Sequence, residues 1–237
     1  MIDNISQRLK SILTWIGESD KIADIGCDHG YLGILSLGKN VKYIQNIDNK
    51  EGPLSSAKQN FKDLDHNAEV FFTLSSGMDD LNEEVDTVCI CGMGADNIIE
   101  IISKHLQRAK KLKKIILVPH TKPFLIRKFL SSNNFKIADE MIIFENNKYY
   151  EAFCVVPTNE LVELSDDECL LGPVLLRNKS KVFIDKWSIR YNHLNDIIKG
   201  LNESSDSYKK IKREMLIIKN NVGDINEEGL SRKSWRN

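Results

Sequence analysis

The chain has 237 residues, 41% hydrophobic and 28% charged, so it can bury a core and is not disordered by composition. Its formal net charge of −1 gives no global argument for a nucleic-acid partner, and no apolar run approaches the roughly 20 residues of a membrane span. Five cysteines and a polar, amphipathic start without a signal-peptide core point to a reducing cytoplasm.

In chain order, a first helix is predicted with Asp3 or Asn4 as cap, an apolar stripe of Ile5, Leu9, Ile12 and Ile16, and Gly17 as its stop. Residues 21–25 read as a short buried strand. Gly26 opens a tight turn, and helical apolar spacing begins at Leu32. A strand that runs through a glycine turn into a helix brings backbone N–H groups and a helix N-terminus up to a ligand. The second strand, residues 43–48, ends on Asp48, about 20 residues on, where such folds place a carboxylate on a ribose hydroxyl pair. Gly26, Gly30 and Gly33 do not follow the dinucleotide spacing, and Asp28-His29 stands where a second glycine would admit a pyrophosphate. The pattern favours a nucleoside with a small charged tail, a description that S-adenosylmethionine fits; the alternative is an ordinary strand-turn-helix with an incidental aspartate.

Pro53 starts the next helix, and residues 68–75 form a third strand. Residues 85–91 are a nearly continuous apolar run, as expected of a strand covered on both faces, and end in Gly92-Met93-Gly94. Cys89 and Cys91 form C-x-C, but no second Cys/His cluster follows at zinc spacing, so they read as one face of that strand and no metal is expected. Ile98, Ile101, Ile102 and Leu106 mark a helix, residues 113–120 a fifth strand, and Pro123 the start of another helix. Residues 135–144 and 149–156 flank Asn146-Asn147-Lys148 as a β-hairpin.

Strands alternating with helices predict an α/β fold, with a parallel sheet and helices on both faces. The final hairpin adds antiparallel character, which describes the seven-stranded, Rossmann-like methyltransferase sheet better than a six-stranded dinucleotide fold. The carboxyl ends of four strands carry Asp24 to Tyr31, Asp48, Ser75 to Met78 and Cys91 to Gly94, and ligands in such sheets bind there. After Pro157 the pattern changes. Glu160 to Glu168 reads as an acidic linker. Trp187, Tyr191, Leu194, Ile198 and Leu201, then Tyr208, Ile211, Met215, Ile218 and Val222, form two heptad-like seams. They predict an antiparallel, coiled-coil-like helical hairpin in a monomer, with a dimer interface as the alternative use of the seams, and a frayed tail from Asn221. The division expected is a catalytic domain over 1–157 and a helical appendage over 158–237.

Asp-Ile-Gly-Cys-Asp-His-Gly-Tyr-Leu (24–32), Asp-Asn-Lys-Glu-Gly-Pro (48–53), Ile-Cys-Gly-Met-Gly (90–94) and Val-Pro-His (118–120) together resemble the bacterial tRNA (adenine-22-N1)-methyltransferases, the TrmK family. The resemblance covers the chain through about Val156, and the helical hairpin is similar to the family's C-terminal extension. Cys27 and Gly30 stand where the family usually has Ser and Ala, Ser76 where an aspartate is common, and Val-Pro-His where Gln-Pro-Asn is usual. The resemblance implies a class I fold, S-adenosylmethionine as donor, and methyl transfer to N1 of one adenine in tRNA. Other acceptors, either another nucleobase or a small molecule, and an RNA-binding protein that has lost turnover, are the competing readings.

On this reading Gly26, Gly92 and Gly94 allow close backbone approach to the cofactor, and Asp48 takes the ribose hydroxyls. Asp24 orients the amino group of the methionine tail or supports its loop. Gly77 and Met78 border the adenine, where Ser75 and Ser76 offer only neutral hydrogen bonds. Cys27, Asp28, Tyr31, Asn49, Gly52, Pro53, Cys91 and Met93 complete the expected cofactor shell. Asp28 is the expected catalytic carboxylate. His29 is a second catalytic candidate or a loop anchor, and Tyr31 a base-stacking or core residue. His120 is a substrate-side candidate. Lys111, Lys114, Arg127, Lys128, Lys186, Arg190, Lys210 and Arg213 are candidate phosphate contacts, weighed against a solvated helix face.

Overall fold

The computed structural model describes residues 5–223. Asp3 and Asn4 lie outside them. The first helix, α1 (Gln7–Ile12), is capped by Ser6, whose hydroxyl accepts from the Arg8 backbone N–H at 3.2 Å. A 3₁₀ turn over Leu13–Trp15 ends it.

Seven strands form one sheet in the order β3-β2-β1-β4-β5-β7-β6. They are β1 (Lys21–Ile25), β2 (Tyr43–Asp48), β3 (Glu69–Leu74), β4 (Thr87–Cys91), β5 (Lys114–Val118), β6 (Phe135–Glu145) and β7 (Lys148–Pro157). The first five are parallel; β7 runs antiparallel to both β5 and β6. Asn146 and Asn147 both take positive φ, the conformation a tight two-residue hairpin turn requires. Between them lie α2 (Tyr31–Leu37), α3 (Glu51–Phe61), α4 (Ala95–Lys104), α5 (Leu106–Ala109) and α6 (Pro123–Ser132).

Side chains alternate across the strands, so the apolar runs serve two cores. Ala23, Ile25, Val88 and Ile90 face α4 and α6 through Ile98, Ile102, Ile126 and Leu130. Ile22, Ile44, Cys89 and Ile116 face the other way, toward Ile12 and Leu32, and Cys91 packs against that second cluster. The C-x-C pair is therefore packing on one face of β4. The chain's direction of winding reverses between β1 and β4, and a crevice opens at their carboxyl ends.

Beyond Pro157 the chain forms α7 (Asp166–Leu171), α8 (Pro173–Asn178), α9 (Lys181–Ile198) and α10 (Asp206–Val222). The expected linker is thus partly helix. Ser165 and Glu168 make a reciprocal capping box, a Ser-x-x-Glu signal present in the sequence. Of the expected frayed tail, Asn221 and Val222 are helical, with the Asn221 amide donating to Asp167 Oδ2 at 2.6 Å, and residues 224–237 lie outside the described residues. The two seams meet as predicted. Trp187, Leu194 and Ile218 are buried together with Phe183, Leu171 and Ile142 of β6, so the hairpin shares a core with the sheet.

Four buried charges cross that junction. Arg127 of α6 donates to Glu140 Oε1 at 2.7 Å and also to Glu151, which accepts in turn from Lys186 of α9. Glu140 Oε2 accepts from the Val174 N–H at 2.9 Å. The expectation that Arg127 and Lys186 meet tRNA therefore fails: Arg127 is fully buried, Lys186 is 6% exposed, and both are held by carboxylates. Gly172 has a φ of +100°, and a Cβ there would lie 2.6 Å from Arg127 Nη2, so the network also requires its glycine. Arg127→Met leaves Glu140 without its guanidinium partner and should cost about 3–5 kcal/mol in urea unfolding.

Candidate active site

A cavity of about 530 Å³ lies at the carboxyl ends of β1, β2 and β3, closed on the far side by one face of α4. The loop after β1 supplies Gly26 and Asp28; that after β2 supplies Asp48, Asn49, Lys50 and Pro53; that after β3 supplies Ser75 to Met78. Met93 of the β4 loop forms part of the wall. Gly26 has a φ of +74°, the conformation that favours glycine, and a Cβ there would lie 2.4 Å from Met93 Cε and so displace the end of that side chain.

Asp48 is pinned by two backbone amides. Asp28 N–H donates to Oδ2 at 3.2 Å and Lys50 N–H to Oδ1 at 3.0 Å. A carboxylate has about four acceptor sites, so acceptor capacity remains for a diol. The amides of Gly26 and Cys27 do not point to a ligand as expected; both donate to Ile47 O, at 2.8 and 3.0 Å. Their work is to hold the β1 turn against β2.

Asp24 lies buried beneath the cavity, 4% exposed. Burial, then the neighbouring charges of Asp48 and Asp28, push its carboxyl up from 3.8 to about 7. Asp28 and Asp48 line the cavity, with Asp24 close enough to feel both charges, and such a set of carboxyls favours a cationic ligand. Burial likewise raises the Cys27 thiol, which rules out a resting thiolate. Ser75 Oγ, also in the wall, is buried with no hydrogen-bond partner among the described residues. An orphaned hydroxyl there calls for a polar ligand atom.

Other expected residues fall outside this wall. Tyr31 begins α2 with its ring 5.4 Å from that of His29. The His29 carbonyl accepts from Asn60 at 3.0 Å, which anchors its loop to α3, and its ring lies 3.7 Å from Asp28 Oδ1. Cys27, Gly52, Cys91, Gly92 and Gly94 support the loops without lining the cavity. Asp28 itself is 69% exposed at the side chain, at the cavity mouth, in the left-handed conformation that Asp tolerates. Asn97, Glu100, Ile101 and Lys104 of α4 and its C-cap residue His105 line the cavity without having been expected. Their spacing of three and four along one helix face is the signal that could have found them.

A second cavity of about 960 Å³ runs between the loop after β5, the β6-β7 hairpin and the helices α7, α9 and α10. His120, Lys128, Arg190, Lys210 and Arg213 line it, as do Lys122 and Lys148. Its wall holds these six lysines and arginines, together with the buried Lys186 that Glu151 already neutralises, against the carboxylates Asp166 and Glu214, in a chain of net charge −1. Arg190 is paired with Glu214 at 2.7 Å, and Arg213 with Asp166. Lys111 and Lys114 are not there. They precede or begin β5, at the opposite end of the sheet, and Lys114 is bound to the buried Asp20.

The sheet order and the Asp48 carboxylate pinned in the crevice at the strand ends define a class I S-adenosylmethionine-dependent methyltransferase. A family model described as tRNA (adenine(22)-N(1))-methyltransferase, TrmK, matches residues 22–227, and the chain belongs to that family. The tRNA (adenine(22)-N(1))-methyltransferase of Bacillus subtilis is 27% identical over 211 residues, covering 86% of this chain and 88% of that one. A structure of M. capricolum TrmK with the cofactor product S-adenosyl-homocysteine is 28% identical, with a TM-score of 0.81 over 92% of this chain and 97% of that one. The B. subtilis M1A22 tRNA methyltransferase TrmK structure is 25% identical, with a TM-score of 0.81 over 93% and 99%. Among the described residues, no helix is long and apolar enough to cross a membrane, and no group of three or more His, Cys, Asp or Glu could hold a metal.

The raised Asp24 carboxyl sets a pH dependence. Because the folded value of about 7 exceeds the usual 3.8, ionising Asp24 opposes folding; the cost grows as pH rises through that window and is complete above it. A cationic ligand favours the carboxylate, so S-adenosylmethionine should bind about tenfold more tightly at pH 8 than at pH 6, releasing a proton. Asp24→Asn should flatten this dependence, after the ligand's own ammonium titration is common to both, and raise the melting temperature at pH 8. Calorimetry in buffers of differing ionisation enthalpy measures the proton.

Proposed function

We propose that this chain transfers a methyl group from S-adenosylmethionine to N1 of adenine 22 in tRNA, with residues 1–157 as catalytic domain and 158–237 as the part that grips RNA. The observation that carries the reading is the pairing of two cavities: the first presents the pinned Asp48 carboxylate with Asp28 and Glu100, offset by Lys50, Lys104 and His105, and the second is lined mainly by lysines and arginines. The first suits a sulfonium nucleoside with an ammonium tail. The second suits a polyanion.

In this reading Asp48 accepts from the ribose hydroxyls, its orientation fixed by the Asp28 and Lys50 amides. Ser75 Oγ gains the partner it lacks. Ser76 and Glu100 flank the adenine end of the cavity, and Glu100 supplies on α4 a carboxylate that Ser76 does not. Asp24 holds the ammonium tail from below. The cofactor, when bound, supplies an electrophilic methyl group on a sulfonium.

The acceptor needs no base. Neutral adenine carries its N1 lone pair in the ring plane, and no proton need leave before attack. What the chain must do is extract the base from its stack, at a cost of a few kcal/mol, and aim it. Asp28, exposed at the mouth and rigid in its backbone, accepts from the exocyclic amine and stabilises the positive charge that develops on the ring. The basic groove holds the backbone meanwhile.

Incubation with unmodified tRNA and labelled donor, followed by mapping of reverse-transcription stops, should give one stop beside adenine 22. Incorporation without that stop would mean another acceptor; donor binding without incorporation would mean an RNA-binding protein. Asp28→Ala should lower kcat by about a hundredfold or more while donor affinity changes little. Lys128→Ala and Lys210→Ala should each reduce the salt slope of tRNA binding by about 1, and Lys111→Ala, at the far end of the sheet, should not.

A further inference from the structure

Arg8 projects from α1, ahead of the stretch that the family model matches. Its guanidinium makes three contacts. Nε donates to Glu145 Oε2 at 2.7 Å, Nη1 lies 2.8 Å from His120 Nε2, and the central carbon sits 4.2 Å from the Tyr150 ring centroid. Arginine has donors only, so His120 Nε2 must be the acceptor in that bond. A neutral imidazole that accepts at Nε2 carries its proton on Nδ1. The contact with Arg8 therefore selects one tautomer.

The imidazole is held from its other sides as well. Its ring packs on Tyr150, centroids 5.9 Å apart. The His120 backbone N–H donates to Met93 O at 2.8 Å, and a Cβ on Gly92 would lie 3.5 Å from Nε2. Met93 belongs to the wall of the cofactor cavity and His120 to the wall of the basic groove, so the imidazole stands at the border between them.

We propose that Arg8 is a positioning residue that presents His120 as a neutral, Nδ1-protonated donor to a lone pair of the target nucleotide as it passes from the groove to the methyl donor. The inference rests on the tRNA-methyltransferase reading above. Its chemical sense lies in the charge that methylation creates. The product base is cationic, and an imidazolium at the border would repel it and compete for the N1 lone pair. A neutral N–H directed at an acceptor other than N1 does neither. The charged groups around the ring act together in this direction: burial first, then Arg8 of α1 and Lys148 of β7, hold the imidazole below its ordinary value. Glu145 of β6 meets Arg8 and leaves that cation compensated without touching the ring.

Nitrogen-15 NMR of the imidazoles in the full chain tests the tautomer directly. The expected result is a neutral His120 at pH 7, protonated at Nδ1. In Arg8→Met the ring should titrate at higher pH and shift toward the Nε2-protonated tautomer. Kinetics test the consequence. Arg8→Met should lower kcat/KM for tRNA about tenfold, the scale of one hydrogen bond, with donor affinity unchanged. His120→Asn removes the imidazole that Arg8 orients and should itself lower kcat/KM for tRNA, and adding Arg8→Met to it should cost less than twofold further. An Nε2-protonated ring in the parent, or an equal loss from Arg8→Met in both backgrounds, would overturn the proposal. Melting temperatures of each variant separate loss of the Glu145 anchor from loss of positioning. The parent is assayed on tRNA in the same series, so a failure of the functional reading registers there and a failure of this inference only in the variants.

Discussion

The Asp48 carboxylate is the joint on which the cofactor cavity is assembled. By accepting from the Asp28 and Lys50 amides it ties the loop after β1 to the loop after β2. The Gly26 and Cys27 amides on Ile47 O reinforce the same seam one residue back. Four backbone donors are thus spent within the protein on holding two loops in register. A ligand at this seam then meets the Asp48 carboxylate rather than these four amides. That distinguishes this crevice from a phosphate-binding turn, where the amides themselves face the ligand. It also explains why Asp28 can occupy a left-handed position: its own N–H is committed to Asp48, so the loop is over-determined around it.

Much of this was legible in residues alone. The bounds of β1 and β2 follow from apolar runs closed by Gly26 and Asp48, and the Asn146-Asn147 turn from its composition. The seam residues of α9 and α10 follow from heptad spacing. What was not legible depends on burial between distant segments. Arg127 and Lys186 look like surface cations in one dimension; only the fold brings Glu140 and Glu151 to them. Lys114 reads as a basic cluster with its neighbours until the parallel sheet puts it at the end away from the site. The α4 face was obscured for a different reason. Its isoleucines dominate the periodicity, and the polar residues that line the cavity occupy the remaining stripe. Ser6 replaced the expected caps because the helix begins later than its apolar stripe does.

The two cavities show how a chain of nearly zero net charge can serve a cation and a polyanion at once. Net charge averages over features that sit on separate walls. Asp24 is buried, and burial together with the charges of Asp48 and Asp28 raises its carboxyl. The groove cations are solvent-facing, and several are already matched to carboxylates, so they act through number and are sensitive to ionic strength.

The charged cluster beneath the hairpin has an evolutionary corollary. Arg127, Glu140, Glu151 and Lys186 each satisfy more than one partner or close the circuit, so replacing one strands another without compensation in a dry interior. Gradual drift through single exchanges is therefore blocked at this junction. Descendants of such a chain can keep the quartet whole or trade it for a fully apolar packing in several concerted changes, and the helical appendage is inherited together with the sheet edge that seats it.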